Sequence, residues 1–226
     1  QAPPFLSEEG IRVVVLRDGS DTWGHNIAGF TEPEAGAFEI ERAVLEESGP
    51  IRVALRIDAR FDRSRLSMWA RLYRHDALIE VDLRIHWAER LQLAKMVVPL
   101  SASISERRDG IPGGGLVRSQ HLREFPVVDW TAVRMQDKGE VGIAAPDCWS
   151  LDSSDTALRF TLVRSPVHAW HDPYKLSENA FYRYTDQGEH HFRFSMLPEA
   201  DGEKLKRLAV QAHRPPVCHD WTRGMG

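Results

Sequence analysis

The chain has 226 residues, of which 42% are hydrophobic and 27% charged, with a net charge of −4. This supplies enough apolar material for a core and excludes a strongly basic nucleic-acid footprint. No apolar run approaches the roughly 18 residues needed to cross a bilayer, and seven Trp with nine Phe argue against a chain that leaves them in water.

The start, Gln1-Ala2-Pro3-Pro4, has neither an initiator Met nor a signal-peptide core, so a chain processed or cut from something larger is expected. Residues 11–16 read as a first strand, followed by the polar segment Asp21-Thr22-Trp23-Gly24-His25-Asn26 and a second strand over 37–45. From 51 to 62 the period is two: Ile51, Val53, Leu55, Ile57, Ala59 and Phe61 share one face, and Arg52, Arg56, Asp58, Arg60 and Asp62 share the other. The same alternation runs through Leu66, Met68, Ala70 and Leu72, then through Ile79, Val81, Leu83 and Ile85. Short connections at 62–64 and 74–76 predict an antiparallel meander. Further strands are expected over 91–100, 131–135, 141–145, 157–164 and 191–197. The spacing of Leu205, Leu208, Ala209 and Ala212 predicts one helix over 202–213, ended by Pro215-Pro216. No linker or repeat interrupts this order. One all-β domain over 1–226 is expected: a large antiparallel β-sandwich with one short C-terminal helix.

The segment Asp21–Asn26 combines a Trp face with Asp, His and Asn groups that suit sugar hydroxyls; the alternative is a loop whose Trp plugs the sandwich and whose Asp caps a turn. His168, His171, His190 and His191 fall late in the chain beside Asp172 and Asp186, without metal-ligand spacing, and no metal is expected here. Nucleophile elbows, phosphate loops and zinc-protease helices are absent; Gly113-Gly114-Gly115 reads as a turn. No pair among the acidic residues stands out as a glycosidase dyad. Arg164 shares strand phase with Leu158, Phe160 and Leu162, so it is expected on the apolar side, held by an ion pair or at the rim of a cleft. Cys148 and Cys218 form no disulfide framework, which favours a reducing, cytoplasmic compartment.

Five stretches in order carry a resemblance. They are Asp21-Thr22-Trp23-Gly24-His25; Leu83-Arg84-Ile85-His86-Trp87 running into Leu93-Ala94-Lys95-Met96; and Glu124-Phe125-Pro126-Val127-Val128-Asp129-Trp130. Leu158-Arg159-Phe160-Thr161-Leu162-Val163-Arg164-Ser165-Pro166 and Gln187-Gly188-Glu189-His190 with Phe192–Pro198 complete the set. Together they resemble the C-terminal β domain of glycoside hydrolase family 38, the α-mannosidases, from about Ile11 to His213. The segment 146–152 and the stretch 116–120 depart from the family's usual residues.

The resemblance implies a galactose-mutarotase-like supersandwich. It implies that the chain is a fragment whose N-terminal catalytic barrel, with the zinc and the aspartate nucleophile, is absent, and that it is inactive alone. Its partners would be the catalytic and helical domains of the parent chain and a mannoside substrate, with no nucleic acid or membrane; a homo-oligomer is open. In the intact enzyme a retaining mechanism is implied, with a carboxylate attacking the anomeric carbon and zinc holding sugar hydroxyls. Arg164, by its place in the R-S-P stretch, is the side chain expected to reach the sugar pocket, with Trp23, His25 and Asp21 as further substrate-binding candidates. Three other readings stay open: a stand-alone aldose-epimerase-like enzyme using His and Glu, a carbohydrate-binding module using Trp23 or Trp149, and a purely structural interaction domain that exposes an apolar patch of several hundred Å².

Overall fold

The computed structural model describes residues 5–118, 122–199 and 202–214. Its strands are β1 (Arg12–Arg17), β2 (Glu34–Ala37), β3 (Glu39–Ser48), β4 (Arg52–Phe61), β5 (Ser64–Tyr73), β6 (Asp76–Trp87), β7 (Gln92–Pro99) and β8 (Ile104–Ile111). They continue as β9 (Gly114–Arg118), β10 (Phe125–Pro126), β11 (Trp130–Met135), β12 (Gly139–Ala144), β13 (Ser150–Ser153), β14 (Ala157–Arg164) and β15 (Gly188–Pro198), and the one helix among the described residues is α1 (Gly202–His213). The strands form two antiparallel sheets: a six-stranded sheet ordered β10-β13-β14-β7-β1-β2 and a nine-stranded sheet ordered β3-β4-β5-β6-β15-β12-β11-β8-β9. The expected sandwich is therefore present, and so is the expected meander, β4 to β6, which β3 extends by one strand.

The core lies between the sheets. Val81, Leu83, Ile85 and Trp87 project from β6, Met96 and Val98 from β7, and Leu158 and Phe160 from β14, all buried. Phe160 meets Phe194 of the opposite sheet edge to face at 5.3 Å, a favoured aromatic geometry. Trp87 is fully buried and donates from Nε1 to Ser165 Oγ at 3.1 Å, which satisfies the indole and ties one sheet to the other.

The six-stranded sheet is apolar on its other face as well. Val14, Leu16, Leu93 and Val97 form a second cluster with Phe30 against it, which explains the uninterrupted Val13–Leu16 run: a strand covered on both sides does not alternate. Helix α1 covers the outer face of the nine-stranded sheet with Leu205 and Ala209, packed on Trp130, Ala132, Ala144 and Leu197. Its bounds match the helical spacing; Pro215-Pro216 lie outside the described residues.

Strands β8, β9, β10 and β13, and β2 up to Ala37, lie outside the segments expected as strands. The segment 37–45 is not one strand either: the chain leaves the six-stranded sheet at Ala37 and enters the nine-stranded sheet at Glu39, with Phe38 buried at the crossing.

Candidate functional site

The loop after β1 is built by its own polar residues. Asp21 Oδ1 accepts from the His25 amide at 3.0 Å, and the Gly24 amide donates to the Asp21 carbonyl at 3.1 Å. The turn needs left-handed backbone, which Gly24 (φ 63°) and Asn26 (φ 59°) supply. Thr22 bridges to a second segment: its Oγ1 donates to the Val167 carbonyl at 2.6 Å, and its amide donates to the Trp170 carbonyl at 3.1 Å. The Asp172 amide donates to Asp21 Oδ2 at 3.1 Å. Two segments far apart in sequence thus become one surface.

Arg164 fixes that surface. Its Nε donates to Asp18 Oδ2 at 2.6 Å, Nη1 to the Thr22 carbonyl at 2.9 Å, and Nη2 to Ser20 Oγ and the Asp21 carbonyl at 2.6 Å each. Four of the five N–H groups of the fork are therefore used. Asp18 is buried and also holds the Ser20 amide at 3.1 Å. The expected orientation of Arg164 is corrected. A bulge between Thr161 and Val163 shifts the register of β14 on β7, so that Arg164 lies opposite Leu93 rather than in phase with Phe160. It projects to the outer face of the six-stranded sheet, its guanidinium 5.3 Å from the Phe30 ring.

Trp23 does not plug the sandwich, being 60% exposed. Its ring lies 5.5 Å from His171 and 6.3 Å from His25, and the two imidazoles are 4.6 Å apart. The Asp21 side chain is buried beneath them, with Oδ2 2.5 Å from His25 Nδ1. Burial opposes ionisation of Asp21, but the hydrogen bonds from the His25 ring and from the His25 and Asp172 amides outweigh it. Its carboxyl is held well below the usual range. Asp21, Trp23, His25 and Arg164 are thus brought together, and His171 joins them.

His168 lies in the bridging segment, its amide donating to the Arg183 carbonyl at 2.8 Å, and the remaining two late histidines lie elsewhere. His190 and His191 are on β15 and face opposite ways, His190 stacking on Phe192 and His191 pairing with Asp82 at 2.7 Å. Trp149 is exposed in the segment before β13. Cys148 beside it is buried and free, and burial, with the Asp147 charge, pushes its thiol well up; Cys218 lies outside the described residues.

Below the loop sits a polar network that the sequence pattern did not reveal. Lys95 is fully buried and donates to Glu124 at 2.5 Å, Asp152 at 2.9 Å and Thr161 Oγ1 at 2.8 Å. Arg159 holds both oxygens of Asp152. Burial works against the Asp152 charge, and Arg159 and Lys95 keep its pKa lowered regardless. Phe30 lies 5.6 Å from the Lys95 ammonium and shields it. The signal was the lone Lys in the apolar run of β7, where an unpaired cation would be expensive.

Against known proteins, residues 5–173 match the family "Glycosyl hydrolases family 38 C-terminal domain". No curated protein matches the chain. Among solved structures it is similar to a protein in the glycosyl hydrolase family 38 from Enterococcus faecalis, with a TM-score of 0.69 and 12% identity over 93% of this chain and 28% of that one. An alpha-mannosidase from Enterococcus faecalis V583 is similar at a TM-score of 0.69 and 12% identity, over 96% of this chain and 29% of that one. The chain therefore spans less than a third of these relatives, and at such identity they speak for the sandwich fold. Among the described residues, no helix is long and apolar enough to cross a membrane. By its match over most of its length, the chain belongs to the C-terminal domain family of the family 38 glycosyl hydrolases.

Proposed function

We propose that this chain is the C-terminal β domain of an α-mannosidase that hydrolyses terminal α-mannosides, and that it serves there as a scaffold packed on a zinc-bearing catalytic domain. The family match over residues 5–173 carries this reading. In it the bond-breaking groups belong to the rest of the parent chain, and the loop Asp21–Asn26 forms part of the wall of the sugar pocket. Trp23 offers an exposed ring face and His25 an exposed imidazole, a pairing suited to a sugar's apolar and hydroxyl-bearing sides. Asp21 and Arg164 position that loop, since both spend their polar atoms on it.

The test compares two preparations on an aryl α-mannoside with zinc. The parent chain is expected to turn it over and the 226-residue chain to show none; turnover by the latter refutes the scaffold role. In the parent, Trp23→Ala is expected to raise KM about tenfold, a loss of about 1.4 kcal/mol of binding, and unchanged kinetics would remove the loop from the pocket.

The exposure of Trp23 and Trp149 favours a second reading, an independent carbohydrate-binding surface. It requires saturable binding of mannose oligomers by the isolated chain, lost on Trp23→Ala or Trp149→Ala.

A further inference from the structure

We propose that His25, His171 and Asp21 form a binding site for a divalent transition-metal ion of the zinc type. The inference stands apart from the sugar-pocket reading, because it rests only on donor chemistry and geometry. Each of the three residues offers one ligand atom, and these atoms all lie within 4.8 Å of one another. Ligand atoms around a tetrahedral ion with bonds of about 2.1 Å sit about 3.4 Å apart. The set therefore closes by small rotations of two exposed rings on a fixed carboxylate.

The carboxylate is fixed by its surroundings. The Asp21 side chain is 1% exposed, and the amides of His25 and Asp172 donate to its two oxygens at 3.0 and 3.1 Å. Its third hydrogen bond, to the His25 ring, is the one a cation would replace. A metal at that point takes a negative charge already in place, so the ion's own charge is partly compensated.

His171 is also prepared. Its Nδ1 is hydrogen-bonded to the Asp172 carbonyl. In the tautomer whose Nδ1 donates to that carbonyl, Nε2 carries the lone pair. Fixing one ring nitrogen through a backbone carbonyl is the usual support for a metal-ligating His. The two segments that carry the ligands are held together by Thr22 and by Arg164 before any ion arrives. Preorganisation of this kind reduces the ordering cost of binding.

Two imidazoles and one carboxylate suit zinc, cobalt, nickel or copper, whereas magnesium and calcium prefer oxygen-only sets. Both rings are exposed, so the remaining positions of the ion open to solvent and accept water or a hydroxyl-bearing ligand.

The test titrates Co²⁺ or Zn²⁺ into the chelator-treated 226-residue chain, with calorimetry for stoichiometry and fluorescence for place. One ion per chain is expected, with cobalt quenching the part of the emission that disappears in Trp23→Phe, because that ring lies beside both histidines. His25→Ala and His171→Gln are each expected to weaken binding at least about tenfold, while His75→Ala and millimolar Mg²⁺ leave it unchanged. Circular dichroism of the metal-free variants separates loss of a ligand from loss of fold. No binding at about 100-fold molar excess, or full-strength binding in His171→Gln, overturns the proposal.

Discussion

Arg164 donates to Asp18, Ser20, Asp21 and Thr22, residues 142 to 146 positions upstream. A planar fork can serve four acceptors at once and an ammonium cannot, so Arg164→Lys should fail to replace it. Removal leaves the buried Asp18 carboxylate without its partner. Arg164→Ala is therefore expected to cost about 3 kcal/mol in urea unfolding, with faster amide exchange confined to the 18–27 and 167–172 segments. An unchanged midpoint, or exchange spread evenly over the chain, would contradict the anchoring role. Acid titration addresses the carboxylates. Asp21, Asp58, Asp147 and Asp152 all have lowered pKa values in the fold, through hydrogen bonds and opposite charge. The unfolded chain takes up protons near the ordinary value of about 4 while the native chain still resists them. Stability from these groups is thus complete above that value and drains away as pH falls below it. Urea midpoints should be flat from about pH 7 to 5 and drop steeply below about 4, with circular dichroism as the readout. Of this site, the composition of Asp21–Asn26 was readable as a polar cluster. The partnership of His25 with His171 was not, because only the fold brings those positions together.

Helix α1 docks through one close approach. A Cβ on Gly142 of β12 would lie 2.5 Å from Leu205 Cδ1 and 2.8 Å from Cδ2, so the glycine makes room for the helix's fully buried Leu205. Gly142→Ala should destabilise by about 1–3 kcal/mol through overpacking, and Leu205→Ala by about 2–5 kcal/mol. In the double variant the new methyl occupies the space the leucine vacates, so the two losses should not add. A double-mutant cycle read by urea unfolding checks this; strict additivity would mean that the helix is held elsewhere. The same elements show what alternation reveals. β4, β5, β6, β14 and α1 were readable because one face is apolar and the other polar over many residues. β8 and β13 were not, because they bury charge: Arg107 and Asp109 pair inside at 3.0 Å, and Arg107 also reaches Ser153 at 2.8 Å. An internal ion pair reads as surface in a hydropathy pattern. The bulge in β14 defeated the phase of Arg164 for a related reason, since one extra residue inverts every side chain beyond it.

At the scale of the molecule, the nine-stranded sheet outreaches the six-stranded one. Along the core face of β4 and β5, Ala59 and Leu66 are buried, yet Leu55 is 37% and Leu72 51% exposed at the far ends. Leu45, directly opposite Leu55 in register, and Ile51 are exposed as well. These four continue the core face as an apolar strip that no layer covers among the described residues. In the scaffold reading proposed above, this strip is where the rest of the parent chain would pack. Alone, the strip should drive association by the face rather than by the sheet edge. The edge strand β3 carries Glu39, Glu41, Arg42, Glu46 and Glu47, and such charges oppose strand addition. Sedimentation velocity of the 226-residue chain should therefore show concentration-dependent association. Leu55→Lys with Leu72→Lys should leave a monomer whose melting temperature hardly changes, since neither side chain is fully buried in the free domain. In the parent chain the same pair should loosen the domain contact and expose it to limited proteolysis. Association that survives the double substitution would place the contact elsewhere and free this strip from a role in docking.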